Sequence, residues 1–261
     1  MDVTLLIPHF QTLDAIRLCL RSIRRYTEPA PRVLVLDNGS RDASREYLGS
    51  LGWIECVDTG IANDLVSAQA AALNLGAARV ETPLFAVLHS DTYVHRAGWL
   101  AMLIRVLARG YAAVGSRHQT IRPYDAGWAA SLAERAAPLL ARLRGRTTAA
   151  GVPWLRSCLT LYRTAAFRAA GCRFASDGRE DATHAANAAL VAHGERLLAL
   201  SDRVVGYFVF HKGDTTRIAN RLFTTGDREF SARIIRHHRH VDGFRARPAT
   251  QAILADPSLD R

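Results

Sequence analysis

The chain has 261 residues, 49% hydrophobic and 22% charged, a balance that supplies apolar side chains for a core and excludes disordered, collagenous and coiled-coil classes. Its 34 Lys+Arg against 24 Asp+Glu give a formal charge of +10, nearly all of it arginine because Lys212 is the single lysine. Such a surplus attracts polyanions, whether a nucleoside diphosphate, an anionic membrane or nucleic acid. No apolar run approaches the ~20 residues of a membrane helix, and Val3 to Ile7 is too short for a signal-peptide core, so a cytoplasmic protein is expected. The four cysteines (Cys19, Cys56, Cys158, Cys172) show no CxxC pairing and sit in apolar segments, which favours reduced core thiols over disulfides or a zinc site.

In chain order, Val3 to Ile7 reads as a strand and Asp14 to Arg25 as a helix with apolar residues at helical spacing. Arg32 to Leu36 is a second strand stopping in the turn cluster Asp37-Asn38-Gly39-Ser40, followed by a helix near Ser44 to Leu51. Trp53 to Val57 reads as strand, Leu65 to Arg79 as an alanine-rich helix, and Leu84 to Leu88 as a buried strand running into His89-Ser90-Asp91. Strands alternating with helices predict an α/β fold with a mainly parallel sheet. Ligands collect at the carboxyl edge of such sheets, where both aspartate-bearing turns fall. A helix at Ala97 to Ala108 and a strand at Tyr111 to Gly115 follow, after which the pattern loosens through Arg117 to Pro153.

The expected organisation is therefore a first lobe at 1–116, a second lobe of the same domain at 117–216, and a basic helical extension at 217–261. Ala129 to Arg144 is amphipathic and arginine-bearing; it packs on the core or meets an anionic membrane or lipid-linked acceptor. Leu159 to Tyr162 reads as strand, Thr164 to Ala170 and Glu180 to His193 as helices, Val204 to Phe210 as a strand leading into His211, and Arg228 to His240 as helix.

His89 and Asp91, two residues apart at a strand end, lean to one side of the turn and suit a divalent metal that neutralises phosphate, although a lone strand-end aspartate also serves as a turn former. His211-Lys212-Gly213-Asp214 places a second histidine where a buried strand meets a loop, as a metal ligand, a phosphate contact or a backbone-capped side chain. Glu180-Asp181 opens a helix, where carboxylates act as caps; a base is also required if a hydroxyl is to attack a sugar. Asp37 forms the DNGS turn or accepts the imide N–H of a pyrimidine, and Asn74 is an ordinary helix residue or orients a donor.

Taken in order, TLLIPHF, VLVLDNGSRDAS, NLGAARVETPLFAVLHSD, LTLYRTAAFRAAG, GREDATHAANAALVAHG and VFHKGDT resemble the blocks of a family 2 glycosyltransferase with the GT-A fold, over about Val3 to Thr216. From Asn74 to His89 is 15 positions, as in the family's asparagine-bearing helix before its acidic motif. The resemblance implies inverting transfer from a nucleoside-diphosphate sugar. It places Pro8, Phe10, Asp37, Asn38, Asn74, His89, Ser90 and Lys212 around the donor, Asp91, His211 and His89 on Mn2+ or Mg2+, and Asp181 with Glu180 at the acceptor hydroxyl. His89 stands where the family's DxD motif has its leading aspartate; imidazole there either coordinates, favouring Mn2+, or contacts the ribose or packs. EDATH lacks the further acidic residue often found two positions after the ED pair, and Gln11 stands near where many relatives carry asparagine.

The expected activity is transfer from a UDP- or dTDP-sugar to a saccharide, lipid-linked or small-molecule acceptor in bacterial polysaccharide, glycolipid or natural-product glycosylation, with peripheral contact at the inner membrane face. The alternatives are a noncatalytic nucleotide-sugar or nucleic-acid binder, suggested by the charge and by His237-His238-Arg239-His240, and a sugar nucleotidyltransferase. Against nucleic acid, the basic residues are dispersed without an interleaved aromatic platform; against the nucleotidyltransferase, an early glycine-rich phosphate loop is missing.

Overall fold

A computed structural model describes residues 2–61, 66–123, 154–175, 181–213, 215–220 and 228–261. Strand β1 (Val3–His9) leads through α1 (Leu13–Tyr26) to β2 (Arg32–Asp37), then α2 (Ser44–Ser50), β3 (Glu55–Asp58), α3 (Val66–Ala78) and β4 (Leu84–Leu88). After β4 come β5 (Thr92–Val94), α4 (Trp99–Leu107) and β6 (Ala113–Ser116). The later part holds β7 (Leu159–Arg163), α5 (Thr164–Ala169), α6 (His184–Ala192), β8 (Leu197–Leu200), α7 (Asp202–Gly206) and β9 (Val209–His211). Three helices close the described chain: α8 (Thr215–Ala219), α9 (Arg228–Arg245) and α10 (Pro248–Leu254).

Alternation along the strands explains the layers. In β1, Leu5 and Ile7 face one core with α1 and α4, while Leu6 faces a second core with α3; Val33 and Val35 against Leu34 and Leu36 repeat the split in β2. Two buried faces require helices on both sides, which is why these strands are continuously apolar. Gly76 allows the close approach of α3, since a Cβ there would stand 2.8 Å from Leu36 Cδ1.

The seven-stranded sheet has the order β3-β2-β1-β4-β7-β6-β8, and β7 alone runs against its neighbours. Because β7 is reversed, Leu159 at its start pairs with Leu88 at the end of β4. Residues just before β7 therefore lie beside residues just after β4. A small second sheet pairs β5 with β9 in antiparallel register, Thr92 opposite His211. The main sheet runs across residue 116 without a break, β6 pairing with both β7 and β8.

Most expected elements form within a few residues of their expected limits. Val204 to Phe210 differs: Asp202–Gly206 is a helical turn and only Val209–His211 is strand. Its apolar run is too short for periodicity to decide, and the turn leaves Val204 40% exposed while burying Val205. The helix expected from Glu180 begins at His184. Glu180, Asp214 and the amphipathic segment Ala129 to Arg144 lie outside the described residues. Cys19, Cys158 and Cys172 are buried thiols as expected, whereas Cys56, on strand β3, is exposed.

The basic tail is built into the core. Phe244 on α9 stacks on Phe210 (ring centroids 4.4 Å apart) and on Tyr93 (5.7 Å), covering the small sheet. Beyond α10, Asp260 accepts hydrogen bonds from Arg21 Nε on α1 (2.9 Å) and from the Tyr47 hydroxyl (2.8 Å). Among the described residues no helix is long and apolar enough to cross a membrane.

Candidate active site

The carboxyl ends of β1, β2 and β3 are aligned, with His9 opposite Asp37 and Asp37 opposite Asp58. The chain turns there through Gln11 (φ 46°) and Thr12 (φ 76°), left-handed conformations unusual for residues with side chains. The Gln11 N–H donates to Ser40 Oγ (2.8 Å), and Asp42 receives the Leu13 N–H at the start of α1 (3.2 Å). This ties the first turn to the DNGS turn. Asp37 is buried, with Oδ1 receiving Ser40 N–H at 3.2 Å; burial raises its pKa while the Ser40 hydrogen bonds oppose that rise. Asn38 Oδ1 accepts from the Thr59 hydroxyl at 2.8 Å. Pro8 is buried at the end of β1 and Phe10 is half-buried just beyond it.

At the end of β4 the chain turns through His89 and buried Ser90 to Asp91 and enters β5 at once. Pairing of Thr92 with His211 then places the β9 histidine beside the aspartate. His89, Asp91 and His211 offer ligand atoms all within 4.8 Å of one another. His211 Nε2 stands 3.0 Å from Asp91 Oδ1 and 3.2 Å from His89 Nδ1. Burial alone would lower the His211 pKa, but the Asp91 carboxylate raises it well above the usual histidine value. Conversely, burial alone would raise the Asp91 pKa, and the His211 charge and hydrogen bond hold it well below the ordinary carboxylate range. His89 is lowered to about 4, chiefly by burial and then by the His211 charge.

Hydrogen-bond directions test whether these three groups suit a cation. His211 Nδ1–H donates to the Gln119 carbonyl, which leaves the lone pair of a neutral His211 on Nε2, toward Asp91. That ring nitrogen and the Asp91 oxygen are both acceptors, so the space between them calls for a proton or a metal ion. The buried Gln119 Oε1 has no hydrogen-bond partner among the described residues, a further acceptor beside the cluster. Two imidazoles and one carboxylate form a donor set suited to a transition-metal divalent ion.

Asp181 is joined to this cluster through a residue that the sequence did not single out, Ser157. Its N–H donates to Asp181 Oδ1 (3.0 Å) and its hydroxyl to Asp181 Oδ2 (3.0 Å), while the same hydroxyl lies 2.7 Å from His89 Nε2. Asp181 Oδ1 also receives the Thr183 N–H (3.1 Å) and shares the Thr183 hydroxyl (2.7 Å) with the Leu155 carbonyl; because α6 starts at His184 with Thr183 as its N-cap, Asp181 does not take the expected capping role. The reversed β7 brings these residues together, because Ser157 stands two residues ahead of that strand.

Other residues marked for the donor side sit differently. Asn74 donates to the Phe174 carbonyl (2.8 Å) and accepts the Phe174 N–H (2.9 Å), so both ends of its amide fasten α3 to the chain ahead of α6. The α3 side chain that reaches the cluster is Gln69, at 2.7 Å from His89 Nε2. Lys212 follows His211 and its carbonyl accepts from the Thr120 hydroxyl at 3.3 Å. Thr215, whose side chain helps lower the Asp91 pKa, lies 3.0 Å from His237 Nε2 of α9, so one histidine of the tail cluster is linked to this site.

A family model described as "Glycosyl transferase family 2" matches residues 4–171. The chain belongs to glycosyl transferase family 2. The matched region includes His89, Asp91 and Ser157 and ends before Asp181 and His211. No curated protein matches this family 2 chain. Among solved structures, it is similar to a mannosyltransferase from Pyrobaculum calidifontis in complex with GDP-Man and Mn2+ (17% identity, 97% of this chain and 68% of that one, TM-score 0.60). It is also similar to S. aureus TarS in complex with UDP-GlcNAc (12% identity, 82% and 59%, TM-score 0.58), of whose solved chain it spans about six-tenths. A third similar structure is glucosyl-3-phosphoglycerate synthase from Mycobacterium tuberculosis with Mn2+, UDP and phosphoglyceric acid (16% identity, 84% and 73%, TM-score 0.51). These likenesses establish the GT-A fold.

Proposed function

We propose that this family 2 chain is a metal-dependent, inverting glycosyltransferase acting on a nucleoside-diphosphate sugar, with a UDP- or dTDP-sugar favoured. The observation that carries the reading is the junction at Ser157, which sets the His89, Asp91 and His211 cluster beside Asp181. Asp91, His211 and His89 would hold the ion. A divalent cation there neutralises the diphosphate as it departs. The two imidazoles favour Mn2+ over Mg2+.

Asp181 receives the proton of the acceptor hydroxyl. Its Oδ1 is occupied by the N–H groups of Ser157 and Thr183, so Oδ2, which takes only the Ser157 hydroxyl, is the oxygen left to act as base. Attack from the side opposite the leaving diphosphate inverts the anomeric centre. Asp37 presents its other carboxylate oxygen to the imide N–H of a uracil or thymine, Oδ1 being taken by Ser40. Asn38, Pro8, Phe10, Ser90 and Lys212 complete the donor side, and Glu180 stands with Asp181 on the acceptor side. Complexes of the similar structures with GDP-Man, UDP-GlcNAc and UDP support a nucleotide at this edge.

The acceptor is a saccharide, a lipid-linked saccharide or a small hydroxyl compound, in bacterial polysaccharide, glycolipid or natural-product glycosylation. The enzyme works in the cytoplasm, with peripheral contact at the inner face of the membrane. Thermal-shift screening of nucleoside diphosphates with and without Mn2+ tests the reading: stabilisation by UDP or dTDP that requires Mn2+ supports it, and no response to any nucleotide refutes it. Product NMR then tests stereochemistry, and retention of the donor's anomeric configuration would contradict inversion.

A further inference from the structure

The Ser157 hydroxyl has one proton, and the count of donors around it fixes the state of its neighbours. Asp181 Oδ2 is a carboxylate oxygen, can only accept, and as the charged acceptor takes the Ser157 proton (3.0 Å) in preference to an imidazole nitrogen. His89 Nε2, 2.7 Å from the same oxygen, must then be the donor, Nε2–H to Ser157 Oγ. His89, as a histidine that ligates a metal, is neutral and carries one proton. Its lone pair is therefore on Nδ1, the nitrogen 3.2 Å from His211 Nε2 and 4.0 Å from Asp91 Oδ1. Gln69, whose amide end stands 2.7 Å from His89 Nε2, must present its oxygen there, since two N–H groups cannot face each other; the two ends of a carboxamide exchange by a flip.

We infer that Ser157 is a positioning residue: it selects the Nε2–H tautomer of His89, aims Nδ1 at the shared centre with Asp91 and His211, and couples that ligand to Asp181. The inference rests on the metal-dependent reading above. It answers a need created by this chain's own sequence, since an aspartate at position 89 would have no tautomer to choose, whereas a histidine has two. Residues that orient a ligating histidine through its other nitrogen typically contribute about 10–100-fold to metal affinity.

The test is Ser157→Ala, with Mn2+ affinity measured by electron paramagnetic resonance and the histidine ring tautomers by 15N NMR of the metal-free protein. The Ser157 N–H remains to hold Asp181 Oδ1, so the alanine variant removes the hydroxyl alone. The expected result is roughly 10–100-fold weaker Mn2+ binding. It comes with loss of the pyrrole-type Nε2 and pyridine-type Nδ1 pattern at His89, and with a fall in turnover that added Mn2+ reverses. Unchanged Mn2+ affinity and an unchanged His89 pattern would overturn the inference while leaving the glycosyltransferase reading intact. Failure of the unaltered protein to bind Mn2+ would overturn both. Ser157→Cys keeps the side-chain shape with a slightly larger, poorly hydrogen-bonding group, and carries the same expectations should the alanine variant not fold.

Discussion

Replacing Asp181 by asparagine changes one atom and separates catalysis from architecture. Two backbone N–H groups, of Ser157 and Thr183, converge on Oδ1, so the amide oxygen of the variant must occupy that place and its NH2 must replace Oδ2. The NH2 then donates to Ser157 Oγ, whose own proton turns from position 181 to His89 Nε2; the fold is retained, the His89 tautomer changes, and the assay is therefore run at saturating Mn2+. What disappears is the basic oxygen. General-base catalysis is worth roughly 10²–10⁴-fold, or about 2.7–5.4 kcal/mol at 1.36 kcal/mol per decade. The assay is initial-rate release of nucleoside diphosphate at saturating donor and acceptor, alongside calorimetric binding of that nucleotide. A loss of at least ~10²-fold in kcat with nucleotide Kd within a few-fold of the parent is expected. A kcat within a few-fold of the parent would refute the assignment of Asp181 as base.

Other consequences follow from particular side chains. Replacing His89 by aspartate removes one imidazole from the cluster and should raise activity with Mg2+ relative to Mn2+, read as the ratio of the two rates; an unchanged ratio would exclude His89 as a ligand. His9 is buried against Ser44, and burial lowers its pKa to about 4. The unfolded chain therefore binds more protons between pH 6.5 and 4, and stability is lost as pH falls through that window, by on the order of 3 kcal/mol; His9→Gln should flatten this part of the urea-midpoint profile. Asp260→Ala leaves Arg21, only 9% exposed, without its partner and should cost about 3 kcal/mol in urea denaturation. The Arg21 hydrogen bond lowers the Asp260 pKa, so that contribution is present above the unfolded carboxylate value and disappears as pH drops through the lowered folded one. Phe244→Ala, removing a ring stacked on both Phe210 and Tyr93, should destabilise by about 3–5 kcal/mol, which a loosely attached tail would not show.

The first four strands and their helices were legible because each strand is a short apolar run closed by turn residues, and each helix keeps its period. Both halves of the His89, Asp91 and His211 cluster were legible for the same reason: all three stand where apolar strands stop. Ser157 and Gln69 were not legible. Serine before a strand and glutamine on a helix are ordinary residues, and their place in the site depends on β7 running against β4, a reversal that no local pattern encodes. The nearest available signal was Ser157 standing two residues ahead of the strand that the family blocks contain. Asn74 illustrates the opposite case, a residue at the family's spacing whose amide is given over to the backbone of Phe174. The strand β5 escaped notice because it spans three residues and its partner lies far along the chain. The tail read as a basic extension because arginine dominates its composition, while the few apolar residues that bury it, Phe244, Ile253 and Leu259, are widely spaced.

Whether a cation belongs between His89, Asp91 and His211 is decided by Mn2+ titration followed by electron paramagnetic resonance in the presence of UDP. One saturable Mn2+ per chain is expected, weakened as pH falls because a proton competes for His211 Nε2, and lost in the doubly substituted Asp91→Ala, His211→Ala protein. Saturable binding that survives this double substitution, or its absence from the unaltered protein, would rule out a cation at these three residues.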